Sequence, residues 1–185
     1  MKSAKNAVII VGIFIFVSAA ALLIFSYRDL KNTIQPTTTM KLTSPAFTHN
    51  QNVPREFTCD GSDINPPLQI SDVPAGAKSL ALIVDDPDAP RGDFVHWTLW
   101  NIAPDTKEIP ENSVPANAIQ GATDFGRHGY GGPCPPSGTH RYQFKLYALD
   151  AMLDLPATAK KQDIERAMQG HIIEQTILVG LYQRP

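Results

Sequence analysis

The chain has 185 residues and carries 16 Lys and Arg against 18 Asp and Glu, a formal net charge of −2 with no basic stripe or cluster. That balance excludes nucleic acid as the main partner, because holding a phosphate backbone takes clustered cations. The length suits one domain with a real core, and 16 Pro and 12 Gly with few runs of helix formers exclude a helical bundle in favour of a loop-rich β protein.

Residues Ala7 to Phe25 form an uncharged apolar run, preceded by Lys2 and Lys5 and followed by Arg28, Asp29 and Lys31. At 1.5 Å per residue a helix of this length spans about 28 Å, close to the hydrocarbon thickness of a bilayer. Residues 1–28 therefore read as an uncleaved signal anchor, with a cleaved signal peptide as the alternative through Ser18 to Ala21. The lysines at the start favour an N-terminus inside and a domain facing outward. Residues 29–39, polar with Pro36 and three threonines, read as a tether, and folded structure is expected over 40–185.

Within the domain, Lys41 to Phe47 and the segment around Phe57 read as short edge strands broken by Pro45 and Pro54. Leu68 to Ile70 alternates as a half-buried strand should. Ser79 to Val84 is apolar on both faces and predicts a central strand. It delivers the chain to Asp85-Asp86-Pro87-Asp88-Ala89-Pro90, where three carboxylates lie so close together that at least one needs a hydrogen bond, a cation or a proton. His96 follows, opening a strand that runs to Ile102. Asp105 to Ala118 is a long polar connection without a clear period. Asp124-Phe125-Gly126 matches a kinase tripeptide, but the chain has none of the accompanying kinase signatures.

Gly129 to Tyr142 holds four glycines and three prolines and ends in His140, Arg141 and Tyr142. Such a loop is rigid and shaped, and its backbone N–H groups are open to close approach, so it suits the wall of an anion pocket. Tyr142 to Ala148 alternates as a strand, Ala157 to Gln169 reads as a surface helix ended by Gly170, and Ile173 to Tyr182 reads as a closing strand. His49, His128 and His171 read as surface or structural residues.

The two signature stretches, Asp86-Pro-Asp88-Ala-Pro90 with His96-Trp97 and Gly129 to Tyr142, resemble those of the phosphatidylethanolamine-binding proteins, in particular their bacterial, Raf kinase inhibitor-like branch. The likeness runs from about Met40 to Arg184 and includes Phe57 to Gly61, Gly170-His171 and Gly180 to Tyr182. It implies a mainly β domain, a sandwich of antiparallel sheets with peripheral helices. At one end it implies a small pocket for anions of the phosphate or phosphoethanolamine type, with no catalysis and no cofactor. Carried over by motif, the ligand-binding residues are Asp86, Asp88, His96, Gly132, Pro135, His140 and Tyr142. Imidazole N–H groups, the Tyr142 hydroxyl and loop amides would donate to the anion, and Asp86 or Asp88 would fix a histidine tautomer. A carboxylate facing phosphate repels it unless protonated, so binding should tighten at mildly acidic pH. The anchor would place this domain on the outer side of a bacterial inner membrane, or the chain would be exported after cleavage, and a homodimer is expected by analogy with bacterial relatives.

Cys59 and Cys134 are the only cysteines, and an exported domain would favour pairing them, although the sequence leaves the bond open. Two other functions compete with anion binding. One is inhibition or regulation of a protein partner, a protease or kinase, with the pocket loop as a plug. The other is metal-dependent hydrolysis built on His96, His140, Asp86 and Asp88.

Overall fold

The computed structural model describes residues 39–185, which form one compact unit. The expected anchor and tether, apart from Thr39, lie outside the described residues. Among the described residues no helix is long and apolar enough to cross a membrane.

Among the described residues nine strands and one α-helix follow in chain order: β1 Lys41–Thr43, β2 Gln51–Asn52, β3 Leu68–Ser71, β4 Ser79–Asp86, β5 Phe94–Ile102, β6 Glu108–Ile109, β7 Ile119–Gln120, β8 His140–Leu149, α1 Lys161–Met168 and β9 Ile172–Tyr182. A small sheet has the order β1-β3-β6 and a large one β2-β9-β8-β4-β5-β7. Every pairing is antiparallel except the two-residue β2–β9 contact. The mainly β sandwich that the sequence predicts is the architecture observed, with a single α-helix at its periphery among the described residues.

Two expected strands change character. The segment around Phe57 is a 3-10 turn, Arg55–Phe57, closed by the Phe57 and Thr58 amides donating to the Pro54 and Arg55 carbonyls. Pro54 pre-sets the turn, and burial of Phe57 follows from its place under the core, not from a sheet. The first strand stops at Thr43, ahead of Pro45. The connection after Asp105 contributes β6, which pairs with β3.

The core lies between the sheets. Leu80, Leu82 and Val84 of β4 meet Phe144 and Leu146 of β8 and Leu42, Leu68 and Ile70 of the small sheet. The alternate residues of the central strands, Ala81, Ile83, Trp100, Tyr147 and Leu149, face the other way and are covered by Ile164 and Met168 of α1. This double burial is why β4 is apolar on both faces: each face is the floor of a separate cluster.

The side-chain alternation continues past the apolar run. Asp85 falls on the helix side, where Lys145 and Lys161 hold its carboxylate at 2.7 and 2.6 Å, and Asp86 falls on the inner side at the end of the sandwich. Two adjacent carboxylates are thus separated by the sheet itself.

Candidate functional site

Three adjacent strands deliver polar side chains to one end of the large sheet. Asp86 ends β4, and His140 and Tyr142 open β8 on the inner side, two residues apart as the strand period requires. His96 arrives by a different device. Val84 is opposite Trp97 but Asp85 is opposite Val95, so His96 is an extra residue, a β-bulge. A bulge re-aims a side chain. Here it lets His96 and Trp97, consecutive in sequence, share the inner side, with the His96 ring edge-on to Tyr142 at 5.1 Å and the Trp97 ring edge-on to Tyr130 at 5.6 Å.

These residues border a cavity of about 260 Å³. Its floor is the buried set Asp86, His96, His140 and Tyr142, and its half-buried or exposed rim is Ala89, Pro90, Arg91, Phe94, Phe125, Cys134 and Pro136. A larger depression of about 700 Å³ lies beside the start of α1 and residues 122–128, but its Lys161 is already held by Asp85 and Asp93 and its Arg127 by Asp63.

The hydrogen bonds decide what the floor can offer. His96 donates from Nδ1 to the Gly131 carbonyl at 2.7 Å, and His140 donates from Nδ1 to Asp86 Oδ2 at 2.6 Å. In both rings Nε2 is the nitrogen left for a ligand. Asp86 Oδ1 accepts from the Asp88 amide at 2.9 Å, so both carboxylate oxygens are engaged within the protein. The Tyr142 hydroxyl is fully buried and forms no well-aligned hydrogen bond among the described residues, with the Asp86 carboxylate and the Cys134 backbone nearby. Burial, and then the nearby Asp86 carboxylate, push its phenol well above the ordinary range, so it keeps its proton and remains a donor. Burial pushes the His96 imidazole below its ordinary value, against the opposing pull of the Gly131 carbonyl and Asp86.

Of the seven residues singled out by motif, Asp86, His96, His140 and Tyr142 come together around the cavity, and Asp88, Gly132 and Pro135 are not part of its lining. Asp88 is clasped by Arg141, with its carboxylate accepting from the Arg141 amide and Nε at 2.9 Å each and from the guanidinium again at 2.6 Å. That guanidinium holds Asp88 at about 2, well below the ordinary carboxylate. Gly132 acts from behind the wall: its amide donates to Asp63 Oδ1 at 2.7 Å, and a Cβ there would sit 2.5 Å from the Phe57 carbonyl oxygen. Pro135 is buried beside Cys134 while Pro136 reaches the rim. Cys134 is bonded to Cys59.

Sequence reasoning missed Arg91, Phe94 and Phe125. Phe94 was within reach, since it lies two residues before His96 and shares its side of the strand. Phe125 comes from a distant loop, where its ring packs edge-on against Phe94 at 4.9 Å and against His96 at 5.2 Å, and no local signal places it there.

Comparison with known proteins gives a consistent picture. The family model described as phosphatidylethanolamine-binding protein matches residues 43–183. A UPF0098 protein of Pyrococcus horikoshii is 51% identical over 150 residues, covering 76% of this chain and 75% of its own. A UPF0098 protein of Methanothermobacter thermautotrophicus is 49% identical over 78% of this chain and 99% of its own. Among solved structures, a phosphatidylethanolamine-binding protein homologue from Chlamydia trachomatis superposes with a TM-score of 0.77 at 41% identity, covering 80% of this chain and 99% of that one. YbcL of E. coli superposes with a TM-score of 0.75 at 29% identity, covering 80% and 100%.

Proposed function

The chain belongs to the phosphatidylethanolamine-binding protein family, and on that premise we propose that its cavity binds a small phosphate-type anion without catalysing its turnover. The observation that carries the reading is the buried Tyr142 hydroxyl, a protonated donor without a well-formed hydrogen bond among the described residues. A buried polar group left unsatisfied costs about 1–3 kcal/mol, which a bound acceptor oxygen would recover. Beside it lie two imidazoles whose Nδ1 atoms are already committed.

The same hydrogen bonds set the proton inventory. With Nδ1 donating, a neutral imidazole presents a lone pair at Nε2 and becomes a donor there only when protonated. His96, neutral through burial, therefore accepts from a P–O–H group or takes up a proton as a more highly charged phosphate enters. Either route favours acid, since a phosphomonoester loses its second proton near pH 6. Asp86 is a positioning group that fixes the His140 tautomer. Because both its oxygens are engaged, it need not face the anion with a free lone-pair edge. The alternative based on metal hydrolysis gains no support, because Asp88 is committed to Arg141 and, among the described residues, no three metal-binding side chains are grouped to hold an ion.

Calorimetric titration of the full chain with inorganic phosphate and phosphoethanolamine at pH 6 and pH 8 tests the proposal. Saturable binding, tighter at pH 6 and lost in a folded His96→Ala, His140→Ala variant, is expected. Absence of binding by the folded wild type would remove it.

A further inference from the structure

Resting on the anion reading, we infer that Arg91 forms a second anion-binding point at the mouth of the cavity, so that the preferred ligands are phosphate esters carrying an additional negative charge and not an ammonium. Arg91 lines the cavity and is exposed. It sits third in a turn closed by the Gly92 amide donating to the Ala89 carbonyl at 3.0 Å, with Pro90 fixing the backbone before it. Gly92 follows at φ +96°, a conformation that suits glycine. The turn thus holds the guanidinium stem at the rim.

The charges around Arg91 make it the exception. Asp85 is held by Lys145 and Lys161, Asp86 by His140, Asp88 by Arg141 and Asp93 by Lys161. Every carboxylate within six residues on the N-terminal side, and the one that follows, has a cationic or imidazole partner, whereas Arg91 has no ion pair among the described residues. Of the titratable groups that line the cavity, Asp86 has both oxygens engaged by His140 and the Asp88 amide, burial lowers the His96 pKa, and Tyr142 keeps its proton. Among the described residues Arg91 is the charged side chain of the cavity lining that no protein group engages.

An ammonium held on a phosphate meets no free acceptor at the mouth of the cavity. The carboxylate at the floor has both oxygens engaged, and of the two phenylalanine rings at the rim Phe125 already has the Arg127 guanidinium 5.6 Å from its centroid while Phe94 packs edge-on against His96 and Phe125. A carboxylate on the same short stem would meet Arg91 across an apolar wall of Pro90, Phe94 and Pro136.

Three probes separate this inference from its premise: inorganic phosphate, phosphoethanolamine and 2-phosphoglycolate, titrated into the full chain and into Arg91→Gln. Binding of 2-phosphoglycolate about tenfold tighter than phosphoethanolamine is expected, shrinking as salt is raised and collapsing to near unity in Arg91→Gln while phosphate still binds. Equal affinities in the wild type, or a preference that survives in Arg91→Gln, would overturn the inference and leave the anion site standing. Failure of all three probes to bind folded wild-type protein would overturn both.

Discussion

Tyr142 gives the most discriminating test at the level of single residues, because stability and binding should respond in opposite ways. Its ring is core, 1% exposed among Phe144, Trp97 and Tyr182, but its hydroxyl is buried without a well-formed hydrogen bond among the described residues. Tyr142→Phe deletes that hydroxyl and keeps the ring, so thermal stability should hold or rise slightly. Phosphate affinity should fall about tenfold or more, the scale of one hydrogen bond to a charged acceptor. A loss of stability with binding unchanged would mean that the hydroxyl serves the fold. His96 makes a second prediction, about pH. Its folded pKa lies below the ordinary value of 6.5, so below that pH the unfolded chain binds more protons than the native one. Stability therefore rises with pH through that window and falls on acidification. Denaturant midpoints at pH 7.5 and pH 5.5 should show a drop that shrinks in His96→Gln and that added phosphate opposes, since the ligand binds best in acid. An identical pH dependence in the variant would sink the assignment. These roles were only half legible in the sequence. Two rigid turns presented the histidines and the family resemblance supplied Tyr142, yet nothing in the run Asp85 to Asp88 tells which carboxylate meets an imidazole and which meets Arg141, because both partners lie more than fifty residues away.

Among the elements, the strands were readable where alternation marks them, as in β8, or where β-branched and aromatic residues are dense, as in β9, and became unreadable where the pairing breaks step. The bulge at His96 has no compositional signature, since it arises from the mismatch of β4 with β5, yet it is what turns His96 to the same side as Trp97. The turn at Arg55–Phe57 was misread because a buried aromatic between polar residues looks like one face of a strand. That turn matters to the site, because the pocket loop leans on it: Tyr130 donates its hydroxyl to the Phe57 carbonyl at 2.9 Å, and the Cys59 amide donates to the Pro133 carbonyl at 3.2 Å. At Gly132 this contact leaves no room for a side chain. A Cβ would meet the Phe57 oxygen at 2.5 Å and Thr58 Cα at 2.7 Å, both backbone atoms that cannot swing aside. Gly132→Ala should cost about 1–3 kcal/mol by overpacking. It should also weaken phosphate binding, because the neighbouring Gly131 carbonyl that orients His96 moves with the loop. Melting temperature and titration on the same sample check both halves, and a fully stable variant with wild-type affinity would refute the packing argument.

For the molecule as a whole, the question is what holds the pocket loop to the body of the sandwich. The sequence supplied two cysteines and no way to judge their separation; the fold places their Cα atoms 5.5 Å apart and bonds them. The bond closes a sequence separation of 75 residues. In the chain-entropy account a loop of that length stabilises by about 4 kcal/mol, chiefly by restricting the unfolded chain. Its effect on the site should be smaller than its effect on stability. Cys134 is at the cavity rim, but the wall behind it is pinned independently by the Gly132 amide on Asp63, by Tyr130 on Phe57 and by Cys59 on Pro133. None of those bonds is made by a cysteine side chain, so cutting the sulfur link removes none of them directly. The Cys59→Ser, Cys134→Ser variant should therefore unfold at clearly lower denaturant or temperature than the oxidised wild type, matching wild type treated with reductant. Its phosphate affinity, measured where it is still folded, should fall by less than about threefold, under 0.7 kcal/mol. Unchanged stability would show that the denatured chain is not constrained by this link. A collapse of affinity in the folded variant would show instead that the disulfide itself shapes the cavity, and that the hydrogen bonds behind the wall are too weak to hold it.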